Sequence, residues 1–174
     1  HLLHVDLCDA NAVNTAVQQA NPDLVMHLAA ESHVDRSISV PGVFIESNVT
    51  GTFNLLQAVR SHFDNLTDER KDAFRFHHIS TDEVYGSLSP EEPEFTEDSQ
   101  IRPRNPYAVT KASSDLLVQA FVNTHGIKAC ITRCSNNYGA NQFPEKLIPL
   151  MVLNCLEGRD LPIYGDGMQI RDWI

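Results

Sequence analysis

Tyr107 and Lys111 stand four residues apart in Tyr107-Ala108-Val109-Thr110-Lys111, a spacing that puts a phenol and an ammonium on one face of a helix. A phenol of pKa about 10 must lose about three units to act as a base near neutrality, a cost of roughly 4 kcal/mol. One cation at about 4 Å, at an effective dielectric of about 20, supplies about that much. Chance alone places Tyr and Lys at this spacing in many helices, but an apolar run ending in Ser80-Thr81-Asp82-Glu83 lies upstream and adds a hydroxyl and two carboxyl groups. Asp82 and Glu83 could be a solvated loop pair; at the end of a strand in an α/β chain they point instead to acid-base work. His77 and His78 are neighbours in the same run, where adjacent side chains take opposite faces, so packing and hydrogen bonding suit them better than a metal. Cys134 has no evident base beside it and reads as a small core residue.

The elements that must position these groups alternate. Leu2–Leu7 is an apolar run of strand length, Asp9 can cap a helix over Ala10–Ala20, and Asn21-Pro22-Asp23 breaks it before a second strand over Leu24–Leu28. A long helix is expected from Pro41 to His62, with Val43, Phe44, Ser47, Gly51, Phe53, Leu55, Leu56 and Val59 facing inward, and a charged linker over Asp64–Asp72. Ala73–Ile79 is the next strand. Pro106 opens a helix that runs to His125, is stopped by Gly126 and offers Ala108, Leu116, Leu117, Ala120 and Phe121 to a core. Lys128–Arg133 reads as a strand, Glu145–Leu156 as a helix closed by Gly158, and Leu161–Tyr164 as a last strand before a Gly165-Asp166-Gly167 turn. Strands alternating with helices of ten or more residues imply a doubly wound parallel α/β sheet. Ligands of such sheets bind beyond the carboxyl ends of the strands, which singles out Ala29–Ser32, Ser80–Glu83 and Cys134–Tyr138.

Composition narrows the classes. The 174 residues are 42% hydrophobic, enough for one sizeable core. A formal charge of −10 makes the mean surface repel nucleic acid and anionic lipid, so neither is expected as a partner. The longest apolar stretch, Leu147–Leu153, is far short of the ~20 residues that cross a bilayer. His1-Leu2-Leu3-His4 does not resemble a secretory signal, and Cys8, Cys130, Cys134 and Cys155 form neither a CxxC pair nor a zinc-finger pattern, which fits a reducing, cytoplasmic setting. A start without Met and an end at Asp172-Trp173-Ile174 suggest an internal fragment of something longer.

Tyr107-xxx-Lys111 with Ser80-Thr81 after an earlier strand resembles the extended short-chain dehydrogenase/reductase family. The runs His27–Ser37, Ile79–Gly86, Cys134–Gly139, Phe143–Pro149 and Ile170–Trp173 resemble, more narrowly, its nucleotide-sugar dehydratases. The likeness implies a Rossmann-like sheet truncated at its N-terminus. Residues 1–140 would be a partial NAD-binding domain and 141–174 the start of a sugar-nucleotide-binding region. NAD is the implied cofactor, a nucleotide sugar such as dTDP-glucose the implied substrate, and a homodimer built on the helices Pro41–His62 and Pro106–His125 the implied assembly. Of the eight glycines only Gly165 and Gly167 are as close as GxG, so the resemblance places the dinucleotide fingerprint before His1.

Carried over residue by residue, Asp6 and Leu7 resemble the pair that meets the adenine, and Leu28, Ala29, Ala30, Glu31 and Ser32 the stretch along the dinucleotide, with Ser32 reaching the sugar. Ser47 replaces the family's usual Thr; it and Ser32 could otherwise be helix caps. Tyr107 and Lys111 resemble the hydride-transfer base and its ribose-binding cation, and Asn137 a further cofactor contact. Asn136, Lys146, Leu147, Pro162, Ile163, Tyr164 and Arg171 resemble residues that hold the nucleotide diphosphate.

The implied reaction oxidises the C4 hydroxyl, which acidifies C5. Glu83 would remove the C5 proton, Asp82 would protonate the departing C6 hydroxyl, Thr81 would bond the C4 oxygen, and hydride would return to C6, yielding a 4-keto-6-deoxy sugar nucleotide. A 4-epimerase or decarboxylase of the same superfamily would share Tyr107 and Lys111 but has no use for the two carboxyl groups. A cofactor-binding regulator without turnover would be expected to lack Tyr or Lys, and a catalytically inert truncated chain is the remaining alternative.

Overall fold

In the computed structural model the described residues are 1–89, 91–163 and 165–174, and they form two compact units, His1–Arg133 and Cys134–Ile174. The first unit holds α1 (Ala10–Ala20), β1 (Leu24–His27), α2 (Val34–Ser39), α3 (Pro41–Phe44), a π-helical segment (Ile45–Thr50), α4 (Gly51–Asp64), α5 (Asp68–Ala73), β2 (Arg75–Thr81), a 3-10 turn (Asp82–Tyr85), α6 (Pro106–His125) and most of β3 (Ala129–Cys134). The strands form one parallel sheet in the order β1-β2-β3, as the alternating pattern implied, with Leu24 opposite Arg75 and His27 opposite His78.

Local chemistry accounts for most element ends. The Asp9 carboxylate accepts the Asn11 and Ala12 N–H groups at 3.1 and 3.0 Å, and α1 buries Val13 and Val17, one turn apart, against the core. Asn105 caps α6 and Pro106 fills its first turn, while Gly126 closes it in the left-handed region at φ +68. In β2 burial alternates, with Phe76, His78 and Ser80 inward and His77 outward, so the two adjacent histidines do take opposite faces. Phe76 joins Leu56, Val59, Phe63, Phe74, Val118 and Ile127 in the main core.

Five expectations are corrected. Leu2–Leu7 is not a strand; it pairs with no strand among the described residues, and the Asn54 side chain holds it by donating to the Leu7 carbonyl at 2.9 Å. The presumed linker contains α5, a six-residue helix without an apolar stripe. It is capped by Thr67, with acids in its first turn and bases in its last, and is tied down by Arg70, which donates to Asp23 and Asn21. Leu161–Ile163 is not a strand, and Tyr164 lies outside the described residues. The helix from Pro41 is interrupted by the π turn. The extra residue taken up there rotates the apolar stripe, so Phe44, Leu55, Leu56 and Val59 face the core whereas Val43 and Phe53 stay 44% and 41% exposed. On α6, Leu116 is 54% exposed and Ala120 is exposed too, because the inward face of that helix is polar and small over its first half, with Thr110, Lys111, Ser114 and Asp115 beside Ala108 and Ala112, and apolar only at Val118 and Phe121.

In the second unit a bridge pairs Asn136 with Trp173, the Trp173 ring meets Tyr138 edge-on, and α7 (Leu147–Glu157) ends at Gly158.

Two glycines are required by close approach. A Cβ on Gly51 would sit 3.0 Å from the Leu7 Cβ; one on Gly86, where φ is +97, would sit 2.5 Å from the Arg102 carbonyl oxygen. Gly86→Ala should therefore lower the stability of the chain by about 2–4 kcal/mol, combining backbone strain with a collision against main chain. Urea unfolding of the two proteins measures it, and a loss under ~1 kcal/mol would contradict this account of the turn.

Candidate active site

The helix that carries the phenol and the ammonium is fixed at both groups' level. Lys111 is buried and its Nζ donates to the Ile79 carbonyl at 2.7 Å, anchoring α6 on the last turn of β2 before the Thr81 hydroxyl. Tyr107, half-buried in the first turn of α6, has its carbonyl occupied by the Thr110 hydroxyl at 2.8 Å.

Thr81 is both the last residue of β2 and the cap of the 3-10 turn. Its Oγ1 donates to Asp82 Oδ1 at 3.2 Å and accepts the Glu83 N–H at 3.3 Å. Glu83 Oε2 accepts from Asn105 Nδ2 at 2.9 Å, which brings the carboxylate to the N-terminus of α6. The end of the turn is braced from below: Arg133 donates to the Tyr85 hydroxyl at 2.8 Å and to Asp115 Oδ2 at 2.7 Å, with its guanidinium 5.2 Å from the Tyr85 ring centre. These bonds bring the turn of Thr81, Asp82 and Glu83 against the helix that carries Tyr107 and Lys111, a constellation of elements built from β2, the turn and α6.

The stretch after β1 is tied to that constellation by Asn48, a buried residue of the π segment. Its amide accepts the Glu31 N–H at 2.8 Å, donates to the Glu31 carbonyl at 2.9 Å and donates to the Thr110 hydroxyl at 2.9 Å. The Asn48 carbonyl accepts from two hydroxyls, Thr52 on its own helix at 2.5 Å and Ser114 on α6 at 2.7 Å. Hydroxyls entering the ladder in this way go with a widened turn. Leu28 and Ala29 are exposed beyond β1, Ala30 and Glu31 are half-buried, and Ser32 is exposed; the cap of α2 is His33, so neither Ser32 nor Ser47 caps a helix. Ser47 is half-buried in the π segment. Asp6 accepts the Cys8 N–H at 2.9 Å, and Leu7 is held by Asn54 and packs on Gly51.

In the second unit, Asn136 Nδ2 donates to the Asp172 carbonyl at 3.1 Å, beside Arg171, an exposed residue whose Nη1 donates to the Ile170 carbonyl. Asn137 Nδ2 donates to the Ser135 carbonyl and the Cys134 sulfur. Lys146 is the residue before α7 and Leu147 its first, and Pro162 and Ile163 are exposed outside any strand or helix. Gly165 and Gly167 lie in a turn at φ +58 and +74 in this unit, not at the mouth of a strand-to-helix loop.

Charge is buried beneath the strand ends. Asp115 is fully buried; burial favours its neutral form, but His78, Arg133 and Ser80 more than offset this and hold the carboxyl below its usual range. Burial pushes His78 down despite Asp115, whose Oδ1 lies 3.4 Å from its Nε2. Burial, with His78 and Lys111 nearby, pushes His27 down to about 3. The Thr52 hydroxyl gives its proton to Asn48, so the 2.8 Å contact with His27 Nε2 is donated by a neutral imidazole.

Asn48, Asn105, Asp115 and Arg133 were missed by sequence reasoning. A signal existed for Asn105, since Asn before Pro at a helix start is a cap signature. For Asn48, set among Glu46, Ser47 and Thr50, no local pattern singled out the amide.

The model of the GDP-mannose 4,6 dehydratase family matches residues 1–174. The chain belongs to this family. Within it, the chain is 57% identical over 170 residues to a dTDP-glucose 4,6-dehydratase of Neisseria meningitidis and 56% identical over 179 to one of Escherichia coli K12, covering 98% of the chain and 48% and 50% of those relatives. A dTDP-glucose 4,6-dehydratase from Streptomyces venezuelae, solved with NAD bound, superposes with a TM-score of 0.87 at 46% identity, over 99% of this chain and 49% of that one. The chain thus spans about half the length of the curated relatives it matches.

The neutral His27 makes stability depend on pH. Its folded pKa lies below the ordinary 6.5, so the unfolded chain binds a proton that the folded chain refuses; the contribution is complete above about pH 6.5 and is lost as pH falls toward 3. At pH 5 the loss should be about 2 kcal/mol. Urea unfolding at pH 7 and pH 5 should show a loss larger by about that amount in the parent than in His27→Gln, which keeps a donor for Thr52, while the buried His78, also pushed down, contributes to both. Equal losses in both proteins would refute it.

Proposed function

We propose that the whole protein of which this chain is part is a hydro-lyase that converts a nucleoside-diphosphate-glucose, dTDP-glucose in particular, to the 4-keto-6-deoxy sugar nucleotide, with NAD as a cofactor that ends each cycle unchanged. The observation that carries the reading is the contact between Glu83 and Asn105, because it puts a carboxylate at the start of the helix bearing Tyr107 and Lys111. The names of the relatives and the NAD in the Streptomyces structure support it.

In this reading Tyr107 takes the C4 hydroxyl proton, aided by the Lys111 charge, and Thr81 steadies the C4 oxygen. NAD, when bound, supplies an acceptor for the C4 hydride and a donor for its return to C6. Once C4 is a ketone, Glu83 removes the C5 proton and Asp82 delivers one to the C6 hydroxyl, which leaves as water. The fit to a dinucleotide rests on Ala29 and Ala30, which carry no bulk beyond β1, and on Glu31, whose peptide Asn48 grips at both ends. Asp6, Leu7, Leu28, Ser32, Ser47 and Asn137 are proposed to line the cofactor, and Asn136, Lys146, Leu147, Pro162, Ile163, Tyr164 and Arg171, with Ser32 and Thr81, the sugar nucleotide. Residues 1–140 would form the dinucleotide-binding part and 141–174 the start of the sugar-nucleotide part.

Two copies are proposed to pair through α4 and α6, whose exposed Phe53, Val109 and Leu116, with Val43 of α3, offer an apolar surface. A cytoplasmic setting is proposed as well; among the described residues no helix is long and apolar enough to cross a membrane.

The test is made in the full-length protein. Tyr107→Phe should abolish C4 oxidation and leave binding of the nucleotide diphosphate near the parent level, because the phenol acts in the transition state. Glu83→Gln and Asp82→Asn should oxidise C4 and then stall, with absorbance at 340 nm persisting after mixing with dTDP-glucose and no loss of water by mass. Release of water at parental rates by both carboxyl variants would overturn the roles given to Asp82 and Glu83, and a parent that released no water and returned the C4 epimer would sink the dehydratase reading in favour of a 4-epimerase.

A further inference from the structure

The loop that joins the 3-10 turn to α6 returns to its own starting point. The Arg102 N–H donates to the Val84 carbonyl at 2.9 Å, and Gly86 permits the approach, leaving Asn105 beside Glu83. One side chain then makes two bonds of different kinds. Asn105 Oδ1 accepts the Ala108 N–H at 2.8 Å, the ordinary service of a helix cap. Asn105 Nδ2 donates to Glu83 Oε2 at 2.9 Å, which no cap requires.

We propose that Asn105 is a positioning residue for Glu83, fixing that carboxylate against the helix of Tyr107 and Lys111; the proposal rests on the reading of Glu83 as the C5 base. Ser and Asp cap helices as well as Asn does, but an ionised Asp has no proton to offer, and a hydroxyl must serve both partners from one oxygen on a shorter stem, whereas the amide serves them from two atoms set apart. Asn105 accepts from Ala108 through its oxygen and donates to the carboxylate through its nitrogen. The backbone is set for this double role by the neighbour: a residue before proline is pushed out of the helical region, and Asn105 sits at φ −139 and ψ 161, the extended geometry a cap needs. Glu83 otherwise has several rotatable bonds on a half-exposed turn. The amide restricts it to the edge of the site, so one helix start defines the position of the phenol, the ammonium and the base together.

Asn105→Ser separates the two services: its hydroxyl keeps the cap, and the shorter side chain has no second atom to carry an N–H out to Glu83. In the full-length protein its melting temperature should match the parent's, and C4 oxidation should proceed at the parent rate. Elimination should slow roughly 10- to 100-fold, as for a misplaced reacting group, seen as a fall in kcat at constant KM. Two signals would report it: persistent 340 nm absorbance with dTDP-glucose, and a parallel fall in deuterium uptake at C5 from labelled solvent. Asn105→Asp caps equally well but sets a second carboxylate against Glu83, so its elimination should be slower still; it carries the test if the serine variant loses stability. Oxidation and elimination falling together in both variants, as a purely structural role would give, overturns the proposal, as does elimination within about two-fold of the parent. Glu83→Gln run alongside separates the failures: if it eliminates normally, the assignment of Glu83 fails and the clamp with it, whereas a stalled Glu83→Gln beside a normal Asn105→Ser sinks the clamp alone.

Discussion

The side-chain amide of Asn48 is the junction on which the site's geometry depends. It sits where three pieces of chain meet: the stretch after β1, the π segment that carries it, and α6. Each of its bonds is buried or half-buried, and loss of the amide would leave the Glu31 peptide and the Thr110 hydroxyl without those partners at a cost of about 1–3 kcal/mol each. The main chain beyond β1 can hold one position relative to the phenol and ammonium of α6 only because a rigid planar group spans the gap. The π turn accompanies that demand, with the Asn48 carbonyl serving Thr52 and Ser114 at once.

A second chain of contacts runs under the 3-10 turn. Asp115 on α6, Arg133 on β3 and Tyr85 at the end of the turn are linked in series, with His78 of β2 against the far oxygen of Asp115. Removing one member of a buried charged set leaves its partner uncompensated, which makes such sets intolerant of piecemeal change. Here the set ties together β2, β3, α6 and the turn, so the residues preceding Tyr85, among them Asp82 and Glu83, spring from a fixed base. The neutral imidazole of His27 completes the layer from β1, and its burial, with that of His78, weakens the fold as pH falls.

The apolar core does comparatively little to define the site. Its largest members, Phe74, Phe76, Leu56 and Ile127, hold α4 against the sheet together with Val118 and Phe121 of α6, while the inward face of α6 from Ala108 to Asp115 is made of small and polar residues. Apolar contacts are tolerant of small shifts, whereas hydrogen bonds fail within a few tenths of an ångström or a modest change of angle. A helix that must deliver a phenol and an ammonium to one place is therefore fastened by bonds with direction.

Much of this was legible from the chain alone. The alternation of apolar runs and amphipathic segments defined the parallel α/β class, Asp9, Asn21, Pro106, Gly126 and Gly158 marked element ends, and Tyr107 and Lys111 were placed on one helix by spacing; these are local effects, decided by periodicity and by bonds between residues a few positions apart. Tertiary structure decided the rest. The bond from Asn48 to Thr110 spans 62 positions and that from Arg133 to Tyr85 spans 48, and no local pattern announces either. The π turn shifted the buried stripe away from Val43 and Phe53, and a polar inward face on α6 left Leu116 exposed, so hydrophobicity alone misassigned those residues. Asn105 shows the division within one residue: its role as a cap follows from its place before Pro106, whereas its bond to Glu83 exists only because the intervening loop folds back on itself and brings the two side chains to 2.9 Å.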